Sequence, residues 1–240
     1  MAVNCNLWIN PRRFIIELCG NAIVQFPRKL TPDQMLQWLE TGDPHKQPHA
    51  GTDEAAHEQF LRRVEEFNVN KIVCFGLGSF ATGGYKTVDV RSAGRYAAAM
   101  IIGQVVAELA GRDWIPIYAQ DADLNKTDIS VLRRVGIQAV NPYLHEGYTL
   151  VDRGTFVMSV DVADGARLEQ MVLDCSTPAA IFMTNFRPDG LRRVADAPRV
   201  AAYGILAEEY TKILNVQTLE DEDEMAYLGG ARLYIRKAQV

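Results

Sequence analysis

The segment that most constrains the fold of this chain is Lys71-Ile-Val-Cys-Phe-Gly-Leu-Gly-Ser-Phe80. In it, an apolar run of strand-forming residues ends abruptly in Gly76, Gly78 and the small hydroxyl residue Ser79. A continuous apolar strand that ends in a tight turn is typical of the buried parallel strands of α/β proteins. Because ligands of open α/β sheets bind at the carboxyl ends of the strands, Ser79 is either a turn and helix-cap residue or a nucleophile.

Predicted strands and helices alternate from this segment onward. The strands are predicted at 71–76, 114–119, 137–141, 155–160, 179–184 and 231–237, and the helices at 92–109, 128–135, 166–173 and 199–214. Such alternation predicts an α/β, Rossmann-like fold with a mostly parallel sheet and helices on both faces. Residues 71–240 are expected to form this domain. Residues 1–70 are expected to form an N-terminal α+β extension that packs on the sheet or covers it.

Composition and charge favour an ordinary globular protein and exclude few partners. The chain has 240 residues, four scattered Cys and a net charge of −5, and the acidic block Glu220-Asp-Glu-Asp-Glu224 carries as many negative charges as the net value. No apolar run approaches the roughly 18 residues of a membrane span. The start of the chain lacks the pattern of a secretory signal. We therefore expect a cytoplasmic protein with reduced thiols, no membrane partner, and no metal or other cofactor. The overall charge neither requires nor excludes RNA.

The glycine turn formally matches a dinucleotide-binding fingerprint, Gly76-Leu-Gly-Ser-Phe-Ala81. That motif requires a helix directly after the glycines, so that the helix N-terminus can hold pyrophosphate. Here the residues from Thr82 to Val88 intervene and do not resemble a helix. The sequence therefore disfavours binding of NAD or FAD.

Polar side chains follow five of the predicted strands. The residues are Ser79 after the first strand, Asp121 and Asp123 after the second, Asn141, His145 and Glu146 after the third, Asp161 and Asp164 after the fourth and Asn185 after the fifth. In a doubly wound sheet these residues would gather at one edge. Each also has a plain structural alternative as a helix cap, a turn residue or a strand end. An acid-rich pocket of this kind would suit a cationic ligand such as a guanidinium.

Two later segments add candidates. The loop from 187 to 199 contains four arginines: Arg187, Arg192, Arg193 and Arg199. They either form a solvated surface or contact phosphates. On the predicted late helix, Glu208 is either a surface residue or a general base, and Tyr210 follows closely.

The order and spacing of several motifs resemble the "sensitivity to red light reduced"-like domain. Beside Lys71–Ser79, the matching segments are Ile117-Tyr-Ala-Gln-Asp-Ala-Asp123, Asp128–Gly136, His145-Glu-Gly-Tyr148, Thr155-Phe-Val-Met158 and Ile181-Phe-Met-Thr-Asn185. The resemblance implies a Rossmann-like sheet. Members of the family commonly carry a Pro-His-Cys-like triplet after the fourth strand and Asp-Pro after the second. This chain has Ser159-Val-Asp161 and Asp121-Ala122 there, which weakens any haem or thiol role.

The short chain is most similar to the fungal branch of that family, which includes the arginine-containing cyclodipeptide synthases. The resemblance implies an enzyme that takes aminoacyl groups from two charged tRNAs, one of them arginyl-tRNA, and closes them into a diketopiperazine. Aminoacyl esters are already activated, so such an enzyme needs positioning, amine deprotonation and oxyanion stabilisation rather than ATP or a metal.

This hypothesis gives each candidate a role. Ser79 would accept or polarise the first aminoacyl group, with backbone N–H groups around Gly78–Phe80 supplying oxyanion donors and Gly76 and Gly78 binding substrate. Asp121, Asp123 or Glu146 would hold the arginine side chain. Glu208 or His145 would carry the proton, and Tyr85 and Tyr210 would donate hydrogen bonds to the substrate. Asn141, Asp161 and Asn185 would line the pocket.

Two other functions stay open. One is a non-catalytic regulatory protein of the same domain family, whose acidic residues would be caps and surface charge. The other is a nucleotide-cofactor-binding oxidoreductase, which the interrupted fingerprint disfavours. The sequence does not specify the second amino acid or the oligomeric state.

Overall fold

Seven strands form one sheet in the computed structural model, which describes residues 62–79, 89–160, 176–183, 204–215 and 231–238. The strands are β1 (Lys71–Phe75), β2 (Ile117–Gln120), β3 (Ile137–Ala139), β4 (Thr155–Ser159), β5 (Ala180–Met183), β6 (Tyr210–Asn215) and β7 (Arg232–Arg236). The helices with defined bounds are α1 (Val90–Leu109), α2 (Lys126–Arg134), a 3-10 turn (Pro142–Leu144) and α3 (Glu146–Leu150). Residues 62–66 and 204–209 are also helical.

The strand order is β3-β2-β1-β4-β5-β7-β6. The first five strands in this order are parallel, whereas β7 runs antiparallel to both β5 and β6. The chain proceeds from β1 through β2 to β3 on one side and then returns to place β4 on the other side of β1. The direction of strand addition therefore reverses between β1 and β4, and ligands of open α/β sheets bind at such a reversal.

Apolar side chains cover both faces of the sheet because successive strand residues point to opposite faces. On one face Ile72 and Cys74 belong to a core that includes the alanine-rich side of α1 and Leu132 of α2. On the other face Val73 and Phe75 belong to a second core with Leu206, with Tyr210 of β6 and with residues of α3. The prediction of a mostly parallel α/β sheet is confirmed.

Several helix boundaries differ from the prediction. Helix α1 begins at Val90 with Asp89 as its N-cap. Helix α2 begins at Lys126 rather than at Asp128, and Asn125 is its N-cap, because the Asn125 side chain accepts hydrogen bonds from the backbone N–H groups of Thr127 and Asp128. The backbone N–H of Asn125 in turn donates to the Asp128 carboxylate, which completes a capping box.

The predicted helix over 199–214 is wrong at its end. Residues 204–209 are helical, but Tyr210–Asn215 form β6. The helix ends there because β7 supplies a partner for the following backbone. Lys237 donates from its backbone N–H to the carbonyl of Glu209 at 2.7 Å, and from Nζ to the carbonyl of Glu208 at 2.8 Å. Tertiary pairing therefore outweighs local helix propensity.

The predicted helix 166–173 and the extension before residue 62 lie outside the described residues.

Arg236 joins several segments at the amino edge of the parallel strands. Its side chain is buried and donates to the carbonyl of Thr177 and, at 3.5 Å, to the carbonyl of Arg153. The guanidinium carbon lies 3.9 Å from the centroid of the Phe67 ring. Burial lowers the pKa of Arg236 from its ordinary value. A buried guanidinium of this kind is stabilised by charge-assisted hydrogen bonds and by the aromatic ring.

We expect Arg236→Met to lower the free energy of unfolding by about 3 kcal/mol, because the carbonyls of Thr177 and Arg153 lose their donor and the cation–π contact is lost. Urea denaturation followed by circular dichroism measures this change. Arg133→Leu, at an exposed position on α2, is the matched control and should change stability by less than about 0.5 kcal/mol. Equal effects of the two variants would contradict the role given to Arg236.

Candidate functional site

The turn after β1 is tied to the turn after β2. Gly76 and Gly78 have φ values of 65° and 88°, which are unfavourable for residues with a side chain. The backbone N–H of Gly78 donates to Asp121 Oδ2 at 2.8 Å, and Asp121 Oδ1 accepts from the N–H of Asp123 at 2.9 Å. Asp121 therefore fixes both turns. The expectation that the Gly78 N–H stabilises an oxyanion is corrected, since this donor is already bound to a carboxylate.

Ser79 lies against a buried carboxylate. Its Oγ donates to Asp128 Oδ2 at 2.7 Å, and the backbone N–H of Asn125 donates to the same oxygen at 2.9 Å. Ser79 is 8% exposed and Asp128 only 1% exposed. Burial in a low dielectric strengthens a hydrogen bond between a hydroxyl and a carboxylate. The arrangement can hold the Ser79 oxygen in one orientation and increase the negative charge on it.

The start of helix α1 lies against the same turn. A Cβ placed on Gly78 would collide with Ser92 Oγ and would lie 3.7 Å from Arg95 Nη1. Asp89 accepts hydrogen bonds from the N–H of Arg91 at 3.0 Å and from Ser92 Oγ at 2.9 Å. Although the sequence separates the glycines from the helix, the fold brings them together. The Asp89 carboxylate lies at the helix start, however, and would repel the pyrophosphate of a dinucleotide.

Tyr96 connects α1 to these groups. Its hydroxyl donates to the carbonyl of Gly78 at 3.2 Å. Burial raises the pKa of Tyr96 well above its ordinary value, the carboxylates of Asp121 and Asp128 raise it further, and Arg95 opposes them. The phenol therefore stays protonated at neutral pH and acts as a hydrogen-bond donor within a cluster of charged groups. Nothing in the sequence pattern marked Tyr96, because its position matches the apolar face of the helix.

The residues after β3 form a local hydrogen-bonded turn at the same edge. Glu146 Oε2 accepts from the N–H of Asn141 at 2.9 Å, and Asn141 Oδ1 accepts from the N–H of Tyr143 at 2.9 Å. His145 is exposed and has a positive φ of 54°. Its ring lies 5.9 Å from that of Tyr148, centroid to centroid.

Gln120, the last residue of β2, was not singled out by the sequence. Its Oε1 accepts from the N–H of Gly147 at 2.7 Å, and the side chain is almost wholly buried. A Cβ on Gly147 would lie 2.9 Å from both Gln120 Oε1 and Phe75 Cε1, so only glycine allows this approach without a shift of those side chains. The Tyr148 ring stacks on Phe75 with centroids 4.7 Å apart. A polar residue at the end of an otherwise apolar strand is the signal that could have identified Gln120.

The structure does not bring Glu208 and Tyr210 to this edge, which corrects their expected roles beside Ser79. Tyr210 pairs with Arg236 on β7, and its hydroxyl donates to the carbonyl of Pro178 at 2.8 Å. Pro178 lies two residues before β5, at the amino edge of the parallel strands. Because β7 is antiparallel to both β5 and β6, β6 runs in the same direction as β5, and Glu208 and Tyr210 at its start lie at that amino edge.

Other candidates lie outside the described residues. They are Tyr85, Asp161, Asn185, Arg187, Arg192, Arg193 and Arg199.

Cys74 lies within β1 as a free, fully buried thiol. Burial raises the pKa of this thiol, so it stays protonated and is a poor nucleophile. In the part of the chain that the structure describes, no three His, Cys, Asp or Glu side chains are grouped as metal ligands would be. No helix there is long and apolar enough to cross a membrane.

Comparison with known families assigns this α/β chain to one of them. Residues 55–232 match the SRR1 domain, and the chain belongs to that family. No curated protein is similar to the chain. Among solved structures, the chain is similar to the crystal structure of Thermoplasma acidophilum 1320, with 11% identity and a TM-score of 0.35 over 87% of this chain and 98% of the other.

We expect two substitutions of Asp128 to separate the contribution of its charge to stability from that of its hydrogen bonds. Oδ2 accepts the hydrogen bonds from Ser79 and Asn125, so the amide oxygen of Asp128→Asn can accept both, and this variant should lose about 1 kcal/mol or less in free energy of unfolding. Asp128→Leu removes both acceptors and should lose about 3 kcal/mol. Urea titrations of both variants measure the difference. Equal losses would show that the carboxylate charge, rather than its hydrogen bonding, stabilises this edge.

Proposed function

We propose that this chain is an aminoacyl-tRNA-dependent synthase that forms an arginine-containing cyclodipeptide. The observation that carries the proposal is the Ser79 hydroxyl at the carboxyl end of the central strand, 2.7 Å from the buried carboxylate of Asp128. Ligands of open α/β sheets bind in this place, and an aminoacyl ester needs only a well-oriented nucleophile to react.

The reaction proceeds in three acyl transfers. Ser79 Oγ attacks the carbonyl carbon of the first aminoacyl ester, the ester bond to the tRNA breaks, and the hydroxyl proton passes by way of Asp128 to the departing ribose oxygen. The amine of the seryl ester then attacks the second aminoacyl-tRNA, which forms a peptide bond and releases the second tRNA. The free amine of the dipeptide finally attacks the seryl ester, closes the ring and returns the proton to Ser79 Oγ. No oxidant and no ATP is consumed.

The acidic groups at this edge suit an arginine side chain. Asp121 is half-buried, and the N–H groups of Gly78 and Asp123 occupy only one acceptor position on each of its oxygens. Asp123 is exposed and Glu146 half-buried at the same edge. A planar guanidinium pairs with carboxylates through two parallel hydrogen bonds. Arg95 lies near Gly78 and would compete for these carboxylates until the substrate arrives.

The remaining roles follow from exposure and position. His145 is exposed at the edge where β3 ends and is the proposed proton carrier for the attacking amine. Tyr96 positions the turn by donating its hydroxyl to the carbonyl of Gly78. Tyr85, Asp161, Asn185 and the arginines of the 187–199 loop remain predicted contacts for substrate and tRNA.

One observation favours a second candidate, a non-catalytic regulatory protein of the same family. Ser79, Asn125 and Asp128 also form a complete structural network, in which the serine ties the β1 turn to the cap of α2. A protein that only binds partners would need the same contacts for stability. Product formation distinguishes the two candidates.

We expect purified protein, incubated with total tRNA, aminoacyl-tRNA synthetases, ATP and amino acids, to form a new product. Its mass should equal arginine plus a second amino acid less two waters, and treatment with RNase should abolish it. Ser79→Ala should lower the rate by at least about a hundredfold and abolish the aminoacyl-enzyme seen by intact-protein mass spectrometry, because the covalent route is lost. Ser130→Ala, an exposed serine on α2, is the matched control and should keep full activity.

Asp128→Asn should lower the rate as well while the protein remains folded, because the neutral amide polarises Ser79 less. Absence of product from folded wild-type protein would reject the synthase in favour of the regulatory candidate. Product formation by Ser79→Ala at the normal rate would reject the nucleophile but not the activity.

A further inference from the structure

The geometry points to an adenine-binding site at Gln120, distinct in its chemistry from the Ser79 hydroxyl and its carboxylate. Gln120 lies at the carboxyl end of β2, where its backbone carbonyl accepts from the N–H of Gly76 at 3.3 Å. The side chain is 8% exposed, so its amide is held inside the protein rather than in solvent. The ligand class is an adenine nucleoside, either free or at the end of an RNA.

The orientation of the Gln120 amide is fixed by the protein. Oε1 accepts from the N–H of Gly147 at 2.7 Å, which points Nε2 away from α3. Among the described residues, no group accepts a hydrogen bond from Nε2. In this part of the chain, the fully buried side-chain polar atoms that have no hydrogen-bond partner are Arg63 Nε and Ser176 Oγ. Gln120 Nε2 is not one of them, so it remains accessible. An accessible amide nitrogen whose own carbonyl oxygen is held by the protein can donate to a ligand in a fixed direction.

The amide presents one donor and one acceptor along a single edge. Nε2 can donate to N7 of adenine, and the second lone pair of Oε1 can accept from the N6 amino group. Guanine presents two acceptors along the corresponding edge, so it cannot form both bonds. Between the two purines, the amide therefore selects adenine at this edge.

Three aromatic residues follow one another from the strand partner of Gln120 outward. Phe75, the strand partner of Gln120, stacks on Tyr148 with centroids 4.7 Å apart, and the His145 ring lies 5.9 Å beyond Tyr148. The rings lead from the buried core to exposed His145 at the surface. Bases bind to such rings by stacking, which contributes to affinity without depending on sequence.

The site would explain how one protein accepts two different tRNAs, a point that rests on the proposed function. Every tRNA carries its aminoacyl ester on a 3′-terminal adenosine, so a site for adenine serves both substrates equally. Gln120 adjoins Asp121, which fixes the turn that carries Ser79. A base bound at Gln120 would place the ester at the edge of the sheet where Ser79 lies.

Isothermal titration of the wild-type protein with AMP and with 7-deaza-AMP tests the site without any mutation. The deaza analogue keeps the shape of adenine but lacks the N7 acceptor, and we expect it to bind about tenfold more weakly or worse. GMP should bind more weakly as well. Equal affinity for AMP and 7-deaza-AMP, or no binding of AMP, would overturn the assignment.

Gln120→Met keeps the length of the side chain and removes both polar atoms, so it should weaken AMP binding about tenfold or more and abolish the preference over 7-deaza-AMP. Gln138→Met, an exposed glutamine on β3, is the matched control and should retain wild-type affinity. Thermal denaturation of each variant establishes that it is folded. Retention of the preference for AMP in folded Gln120→Met would reject the role of this amide.

Two RNA oligonucleotides that differ only in a 3′-terminal A or C identify the source of the adenine. Competition with AMP by the A-ended oligonucleotide alone supports an RNA end as the ligand. If neither oligonucleotide competes with AMP while AMP binding still depends on N7, the ligand is a free nucleotide. Cyclodipeptide formation is measured separately. AMP binding without product would reject the proposed function and keep the adenine site. Product formation without AMP binding would keep the proposed function and reject the site.

Discussion

Parallel pairing of β1 with strands on both sides is the constraint on which the rest of the structure depends. β1 lies between β2 and β4, and its residues from Ile72 to Phe75 are buried. A strand enclosed in this way must be apolar along its whole length, and it must leave the sheet at its carboxyl end. That exit falls where the direction of strand addition reverses. The turn with Gly76, Gly78 and Ser79 therefore lies where a ligand can reach backbone and side chains together.

Carboxylates at this edge act first as structural groups. Asp121 joins the turns after β1 and β2, Asp89 and Asp128 begin helices, and Glu146 closes the turn after β3. Each accepts backbone N–H groups that would otherwise lack a partner. A carboxylate with two oxygens can do this and still accept further hydrogen bonds. The groups that stabilise the fold can thus also bind a cationic substrate.

The two edges of the sheet differ in chemistry. At the amino edge, Arg236 and Tyr210 use their polar groups on backbone carbonyls, and the pKa shifts of both reflect burial first. At the carboxyl edge, Ser79 binds a carboxylate and the Gln120 side chain accepts from the N–H of Gly147. Chemistry with a ligand is therefore expected at the carboxyl edge, whereas the amino edge closes the sheet.

The sequence by itself determined the α/β class, the positions of β1, β4 and β5 to within one or two residues, and the set of polar residues after the first three strands. These features depend on local patterns of apolar and turn residues, which are visible along the chain. Only the tertiary structure decided that Tyr210 begins a strand, because the pairing with β7 comes from residues far away in sequence. It also decided that α1 packs against Gly78, that the Gly78 N–H is bound to Asp121, and that Gln120 is oriented by Gly147. Such contacts join distant segments, and their energies have no counterpart in the local pattern.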